Sequence, residues 1–448
     1  MKASHPLRHF ARWWARPLLA LLLLAAVQPV LAGPAIEHWV TKNGLRVYFV
    51  PAPELPMIDI RITFAAGSAR DGDRPGIASL TSRMLTQGAG GLSADAIAQA
   101  FEDVGAHVGT GALRDMSWLS LRTLSDPDYL EPALDAFTKV LWSPDFPAAD
   151  FERTRNQVLL GIKAAEASPG KIASKAFYQA LYGDHPYGHP VEGTKASVEK
   201  LTVADLEAFH RRHFVAANGV LAITGDLDRA EAEKLAERLG AGLPAGKAAP
   251  PTPPVPPLAE SREIRIPFPS RQAHVYMGQP GIERGNPDYH ALYLGNHILG
   301  GGGFTSRLVK AVRVERGYAY SVYSYFLPMA APGPFQVAMQ TRGSQVDDAV
   351  QVGRETIAAF LADGPSADEI DAAKKNITGG FPLRIASNAD IVQYLALIGF
   401  YHLPLDYLDT FTRQIEAVDG EQIVAAFRKH VHPGKMVTVI VGGSKETP

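Results

Sequence analysis

Two pairs of histidines are the first residues in this 448-residue chain whose type and spacing could support metal or acid–base chemistry. His185 and His189 stand four residues apart in HPYGH, but a proline follows each of them and excludes a helix that would place both on one face. His210 and His213, in HRRH, could share a helix face, yet two arginines lie between them and no carboxylate stands directly beside them. We therefore interpret all four histidines as structural residues.

A glycine-rich segment, GGGGFTSR at 300–307, is the next candidate. It lacks the Gly-Lys-Ser/Thr ending of a phosphate-binding loop and no strand leads directly into it, so nucleotide binding is not expected. We predict a flexible or tightly packed turn, in which backbone without Cβ atoms can approach another chain closely. The glycines of this turn are Gly300, Gly301, Gly302 and Gly303.

The chain offers little nucleophilic chemistry. It contains no Gly-x-Ser-x-Gly elbow, and the absence of cysteine excludes a thiol nucleophile as well as disulfides. Carboxylates are numerous but scattered, so no glycosidase-type pair stands out.

The N-terminus has the pattern of a secretory signal peptide. Four basic residues precede the apolar run PLLALLLLAAV, and VLA, ending at Ala32, resembles a small-residue cleavage site. The run is short for a membrane anchor, so we predict a signal peptide over 1–32, no stable membrane span after cleavage and a periplasmic or secreted bacterial protein. The alternative is an uncleaved membrane anchor. Cleavage removes four basic and no acidic residues, which takes the formal net charge from −2 to −6 and gives no electrostatic case for nucleic acid binding.

A proline-rich stretch at 243–261 divides the remaining chain into two parts of similar length, 33–242 and 262–448. We predict an extended linker there, because proline and alanine dominate it. Both parts end alike: LEAFHRRHFVAANGVLAITGDL and IVAAFRKHVHPGKMVTVIVGGS each read as a helix, a turn and a β-rich run closed by glycine. This repetition predicts two copies of one domain.

Alternating apolar residues predict strands at 45–52, 58–68 and 116–124 in the first part, and at 273–279, 318–327 and 333–341 in the second. Helical patterns cover about 128–182, 287–299 and 305–316. Ser93 is predicted to cap one helix, and Thr202 with Asp205 to form a capping box on another. Strands and helices are grouped rather than strictly alternating, which predicts an α+β fold.

Two segments resemble signatures of the pitrilysin, or insulinase-like (M16), zinc peptidases. GGGGFTSRLVKAVRVERGYAYSVYS is similar to the C-terminal-domain pattern of a Gly-rich turn, Ser-Arg-Leu, a helical Arg and Gly-x-x-Tyr-Ser, and PYGHPVEGT also looks like a family segment. The order of elements agrees over nearly the whole chain after residue 32. The resemblance implies two homologous α+β domains, each a mostly antiparallel sheet packed with helices, that form half of a clamshell enclosing a peptidase chamber.

The family's first domain carries His-x-x-Glu-His on a helix, in which two histidines bind zinc and the glutamate activates the bound water. GIA at 76–78 matches the lead-in to that helix, so the motif positions are Ser79, Ser82 and Arg83, and the spacing places Gly161 at the third ligand. An arginine has no acceptor and would repel a metal. The resemblance therefore implies that this chain keeps the scaffold, has a degenerate zinc site and binds no metal.

In the family's second domain, an Arg and a Tyr seven residues apart contact the substrate near the zinc. The matching residues are Arg313 and Tyr320. The guanidinium can donate to a peptide carbonyl, and the phenol can stabilise an oxyanion. The alternative is that Arg313 caps its helix and Tyr320 packs in the sheet.

The resemblance implies a divided active site. On this hypothesis the chain is the non-zinc subunit of a bacterial M16-type heterodimer, binds peptide substrates with Arg313 and Tyr320, faces the chamber with its glycine-rich turn, and completes a zinc-bearing paralogue. A second hypothesis is an inactive structural or peptide-binding assembly protein of the same fold. A third is a self-sufficient hydrolase with a relocated metal site that uses His185, His189 or His107.

Overall fold

The computed structural model describes residues 35–443, so the predicted signal peptide lies outside the described range. The first half contains eight strands, of which the hairpin β4–β5 stands apart from the main sheet. These strands are β1 (Glu37–Val40), β2 (Arg46–Pro51), β3 (Met57–Phe64), β4 (Gly88–Ala89), β5 (Leu92–Ser93), β6 (His107–Ala112), β7 (Ser117–Leu124) and β8 (Gly219–Gly225). The second half contains β9 (Arg262–Ile266), β10 (Gln272–Pro280), β11 (Ala319–Phe326), β12 (Pro334–Arg342) and β13 (Val437–Gly442).

The two main sheets have the same topology. The first has the order β1-β2-β8-β3-β7-β6, and the second has the order β9-β13-β10-β12-β11. The strands β2-β8-β3-β7-β6 of the first sheet correspond to β9-β13-β10-β12-β11 of the second. In the first sheet β8 pairs in parallel with β2, and in the second β13 pairs in parallel with β9. All other pairings among these ten strands are antiparallel. The described part of the chain is thus a tandem repeat of one mostly antiparallel α+β domain, with β1 added in the first copy.

Helices fill the connections between these strands. In the first half they are α1 (Ile77–Met84), α2 (Ala94–Glu102), α3 (Pro127–Trp142), α4 (Ala148–Ala165), α5 (Pro169–Tyr182), α6 (Lys195–Val198), α7 (Val203–His213) and α8 (Arg229–Ala241). In the second half they are α9 (Tyr289–Asn296), α10 (Val346–Asp363), α11 (Ala367–Gly380), α12 (Asn388–Phe400), α13 (Tyr407–Ala417) and α14 (Gly420–His430). Two wider helical segments, His297–Gly301 and Val309–Val314, follow α9, and short 3₁₀ turns lie at Ser68–Arg70, Ala216–Asn218, Gly303–Thr305, Gly343–Gln345, Pro382–Ile385 and Pro433–Lys435.

Local sequence explains several helix starts. The Ser93 hydroxyl accepts a hydrogen bond from the Ala96 amide at 3.2 Å and caps α2. The Thr202 hydroxyl accepts from the Asp205 amide while the Asp205 carboxylate accepts from the Thr202 amide, which is the predicted capping box of α7. Such caps satisfy amides that have no partner inside the helix.

Each half covers part of the other half's sheet with one helix. Helix α5 packs on β10 and β13, where the ring of Phe177 lies 5.7 Å from that of Tyr276. Helix α12 packs on β8, β3 and β2, so closely that a Cβ on Gly399 would lie 2.6 Å from the Tyr48 ring and 2.5 Å from Val220. Apolar residues of both halves therefore share continuous cores, and burial of this area couples their folding.

A buried carboxylate joins the halves at the turns between corresponding strands. Asp115 lies between β6 and β7 and is 5% exposed. It accepts hydrogen bonds from the Tyr187 hydroxyl at 2.5 Å, the Tyr401 hydroxyl at 2.9 Å and the Ala330 amide at 2.8 Å. Ala330 lies in the turn between β11 and β12, so the two repeats meet at the same point of their topology.

The segment between the sheets, 243–261, contains no helix or strand. It runs along the protein: the Asn218 carboxamide oxygen accepts from the Ala249 amide at 2.9 Å, and the Pro253 carbonyl oxygen lies 2.9 Å from His185 Nε2. Within residues 35–443, no helix has the length and apolar character needed to cross a membrane.

Candidate functional site

Helix α1 presents the degenerate motif, and a buried carboxylate holds its start. Asp71 accepts from the amides of Gly76 at 2.6 Å and Ala78 at 3.1 Å. Burial raises the pKa of this carboxyl well above its usual range, although the two amide bonds oppose the shift. Gly76 has φ +100°, and a Cβ there would lie 2.7 Å from the carbonyl oxygen of Glu192, so the PYGHPVEGT segment packs directly on the helix start.

The motif positions differ in exposure. Ser79 is 7% exposed, and Ser82 is fully buried with a hydroxyl that has no hydrogen-bond partner. Arg83 is exposed on α1, and Gly161 is exposed on α4, which packs against α1. The two serines and the arginine cannot ligate a metal as an anion or imidazole, and Gly161 has no side chain. A buried serine without a base cannot activate a water molecule.

The three histidines of the relocated-site hypothesis, His185, His189 and His107, lie apart and contact different groups. His185 uses Nδ1 to accept from the Tyr187 amide at 3.1 Å, and its Nε2 lies at the Pro253 carbonyl. His189 lies 3.9 Å from Asp71, and burial lowers its pKa. His107 is exposed on β6. Among residues 35–443, no three histidine, aspartate or glutamate side chains lie together in an arrangement that could hold a metal ion.

His210 and His213, the second pair of candidate histidines, pack against aromatic rings. His210 stacks on Phe214 at 4.7 Å, and His213 lies 4.6 Å from Phe209. Burial, assisted by a neighbouring arginine in each case, lowers the pKa of both imidazoles to about 4, so both are neutral at pH 7.

The glycine-rich turn connects two helical segments of unusual pitch. The Gly302 amide donates to the His297 carbonyl at 2.7 Å, and the Glu315 amide donates to the Lys310 carbonyl at 2.9 Å, both across five residues. Wide turns of this kind are frequent at functional sites. A Cβ on Gly300 would lie 2.3 Å from the Ser324 hydroxyl, so glycine lets this turn approach β11 closely.

Tyr320 is presented by a β-bulge. Ala319 pairs with Thr341 and Ser321 with Gln340, which leaves Tyr320 as the extra residue of β11. A bulge re-aims the side chain that it carries. The phenol is 76% exposed at the edge of the second sheet, so the tyrosine ring is not packed in the sheet.

Arg313 lies beside this tyrosine. Its guanidinium carbon is 5.5 Å from the centre of the Tyr320 ring and 4.8 Å from that of Phe304, which is 68% exposed. The half-buried arginine is thus held between two aromatic rings, and contacts of this kind contribute about 0.5–1 kcal/mol each at exposed sites. Phe304 is not among the predicted site residues, although a phenylalanine directly after four glycines is a signal of an exposed aromatic group.

A cavity of about 690 Å³ opens in the first half beside β6, the edge strand of its sheet. Val108 and Thr110 of β6 line one wall, and Asp150 and Arg153 of α4 line another. Gln87, just beyond α1, also lines it and accepts from Arg153 at 2.7 Å. β6 ends its sheet, so one row of its backbone groups is not paired within that sheet.

The fold defines a tandem-repeat α+β protein whose helix α1 carries Ser79, Ser82 and Arg83 at the positions of the expected motif. A family model described as "Insulinase (Peptidase family M16)" matches residues 47–195, and one described as "Peptidase M16 inactive domain" matches residues 200–377. A crystal structure of a peptidase M16 inactive domain from Pseudomonas fluorescens superposes with a TM-score of 0.89 and 44% identity, over 92% of this chain and 99% of that chain.

Two curated relatives show the same membership. A Helicobacter pylori protein named "Non-peptidase homolog YmxG" is 27% identical over 96% of this chain and 99% of its own length. An uncharacterized zinc protease of Streptomyces coelicolor is 30% identical over 77% of this chain and 76% of its own length. The chain belongs to the M16 peptidase family, which confirms the predicted family and the α+β fold. The descriptions "inactive domain" and "Non-peptidase homolog" among its matches support the prediction that the chain is inactive alone.

Proposed function

We propose that this chain is the non-zinc subunit of a periplasmic M16-type metallopeptidase, and that it supplies Arg313 and Tyr320 to a peptide held at the zinc of a paralogous partner. The observation that carries the proposal is the pairing of an exposed, bulge-borne tyrosine with an arginine beside it, in a chain whose own zinc positions are replaced. A purely structural role gives no reason to expose a tyrosine and hold a cation over it.

The chemistry of the pair suits peptide hydrolysis. The guanidinium can donate hydrogen bonds to a backbone carbonyl of the substrate, and the phenol can donate to the oxygen that becomes negatively charged in the tetrahedral intermediate. A donor aimed at such an oxygen typically contributes about 10²–10³-fold to kcat. The zinc that activates the attacking water belongs to the partner.

Exposure of edge strands supports peptide substrates. β6 and β11 each end one edge of their sheets, and each has a row of backbone donors and acceptors that is not paired within the sheet. An extended peptide can pair with such an edge. The periplasmic location rests on the signal-like sequence at 1–32, and the glycine-rich turn would face the chamber between the subunits.

The first experiment is a peptidase assay with a quenched peptide on this chain alone, on a zinc-bearing paralogue alone and on the mixture, with zinc content and association measured on each sample. The proposal expects zinc only in the partner, a complex in the mixture and activity only in that complex. Stoichiometric metal and activity in this chain alone would refute it. Failure of the two chains to associate, with no gain in activity, would favour the structural or peptide-binding alternative.

A further inference from the structure

A separate pocket in the second half gathers two arginines and four tyrosines. We call it the arginine–tyrosine pocket; it has a volume of about 150 Å³, and the argument concerns Arg284, Arg384, Tyr289, Tyr293, Tyr394 and Tyr407. Two phenylalanines and a leucine complete its wall. It lies among α9, α12, α13 and the 3₁₀ turn at Pro382–Ile385, and its lining includes neither Arg313 nor Tyr320.

The positive charge in this pocket is not neutralised by the protein. No aspartate or glutamate lines it, and within residues 35–443 neither arginine forms an ion pair. The nearest carboxylate along the chain from Tyr289 is engaged elsewhere, because Asp288 accepts from Lys429 at 2.7 Å and lies 2.8 Å from His430 Nε2. Two guanidiniums that share one concave site without a carboxylate favour an anion between them.

The arginines stand at different depths. Arg284 is half-buried, and its Nε atom is buried without a hydrogen-bond partner. Its guanidinium carbon lies 5.7 Å from the ring centre of Tyr289 and 5.5 Å from that of Tyr401. Arg384 is exposed at the mouth. A buried N–H without a partner destabilises the protein, and an acceptor that enters the pocket and binds this group removes that penalty.

The tyrosines supply neutral donors. Burial raises the pKa of the Tyr289, Tyr394 and Tyr407 phenols, so they stay protonated at neutral pH. The Tyr293 hydroxyl accepts from Arg384 at 2.6 Å, and its own hydrogen remains available to donate. The pocket therefore presents cations and hydroxyl donors together, which is the donor set that binds oxyanions.

We infer that the arginine–tyrosine pocket is a binding site for a small oxyanion, either free phosphate or the carboxylate of a small organic acid. A cavity of this volume has room for several water-sized groups, which suits the oxyanion group of such a ligand. Arg284 binds the anion from the floor, Arg384 closes over it from the mouth, and the phenols donate from the walls. The site is independent of the peptidase proposal, because it uses none of the same residues.

Calorimetric titration of the whole chain from residue 33 tests this assignment. Inorganic phosphate and succinate are titrated separately at pH 7.5, with chloride used to hold the ionic strength constant. The expected result is saturable one-site binding of at least one of the two anions. Arg284→Met and Arg384→Met each weaken it at least about tenfold, and Tyr407→Phe weakens it a few-fold.

The matched control is Arg83→Met, which removes an exposed arginine in the first half and is expected to leave binding unchanged. Arg384→Met keeps the test decisive if Arg284→Met does not fold, because Arg384 is exposed. Phosphate binding alone assigns the site to tetrahedral anions, and succinate binding alone assigns it to carboxylates. Absence of saturable binding by both anions, or equal losses in Arg83→Met and Arg384→Met, overturns the inference.

Discussion

Replacement of Asp115 is expected to destabilise the junction between the halves strongly. Its carboxylate accepts three hydrogen bonds, from two phenols and one amide, at a position that is 5% exposed. Asp115→Ala leaves these donors without a partner, and each buried unsatisfied donor costs about 1–3 kcal/mol. We expect a loss of about 4 kcal/mol, a large share of the ~5–15 kcal/mol that stabilises a typical protein.

Asp115→Asn is expected to destabilise the junction less than Asp115→Ala. The amide keeps the shape and one acceptor oxygen but loses the charge, so the expected loss is about 1–2 kcal/mol. Asp348→Ala is the control, because Asp348 is an exposed carboxylate on α10, and such surface changes are usually within ~0.5 kcal/mol.

Equilibrium unfolding in urea measures these changes. Every tryptophan after residue 32 lies in the first half (Trp39, Trp118 and Trp142), so fluorescence reports that half while far-UV circular dichroism reports both. For Asp115→Ala we expect the midpoint to fall by roughly 1–2 M and the two transitions to separate. Coincident transitions with a midpoint equal to that of Asp348→Ala would refute the role assigned to this carboxylate.

Three further predictions concern stability. Gly300→Ala is expected to lower the free energy of unfolding by about 1–3 kcal/mol, because its Cβ would clash with β11. Gly161→Ala, in open space on an exposed helix, is expected to raise it by about 0.5–1 kcal/mol, and thermal melts of the two variants measure the difference. The pKa of His210 in the folded protein is about 4, so the free energy of unfolding is expected to fall as pH drops from about 6.5 to 4, where the unfolded imidazole binds a proton and the folded one does not. His210→Gln should reduce the slope of stability against pH in this range. An unchanged slope would contradict the role assigned to His210. The Arg307 guanidinium lowers the pKa of Glu369 to about 2, so this pair stabilises the fold above about pH 4.5 and its contribution is lost as pH falls towards 2. In urea unfolding, Glu369→Gln should therefore lower the free energy of unfolding by about 1 kcal/mol at pH 7 and by almost nothing at pH 2.

Periodicity and capping chemistry predict much of the fold. The strand predicted at 273–279 is observed at 272–280, and that at 116–124 is observed at 117–124. The repeated helix–turn–strand endings correspond to α7–β8 and α14–β13, which occupy equivalent places in the two sheets. These features depend on residues close in sequence, so local patterns report them.

The rest depends on contacts between distant residues. The exchange of α5 and α12 between sheets gives no local signal, because an apolar helix face does not specify which sheet it covers. The bulge at Tyr320 arises from the pairing of β11 with β12, so the alternation of residues along β11 alone does not predict it. The arginine–tyrosine pocket likewise draws on residues from 284 to 407 that only the packing of helices brings together.

The central claim is that Tyr320 and Arg313 act on a peptide held by a partner's zinc. Its most direct test is steady-state peptide cleavage by this chain mixed with its zinc-bearing paralogue, with Tyr320→Phe compared against Tyr323→Phe, the loss of another exposed phenol on the same strand. The account predicts that Tyr320→Phe lowers kcat about 10²–10³-fold without changing association or zinc content, while Tyr323→Phe stays close to the unmodified complex. Equal activity of Tyr320→Phe and the unmodified complex would contradict it.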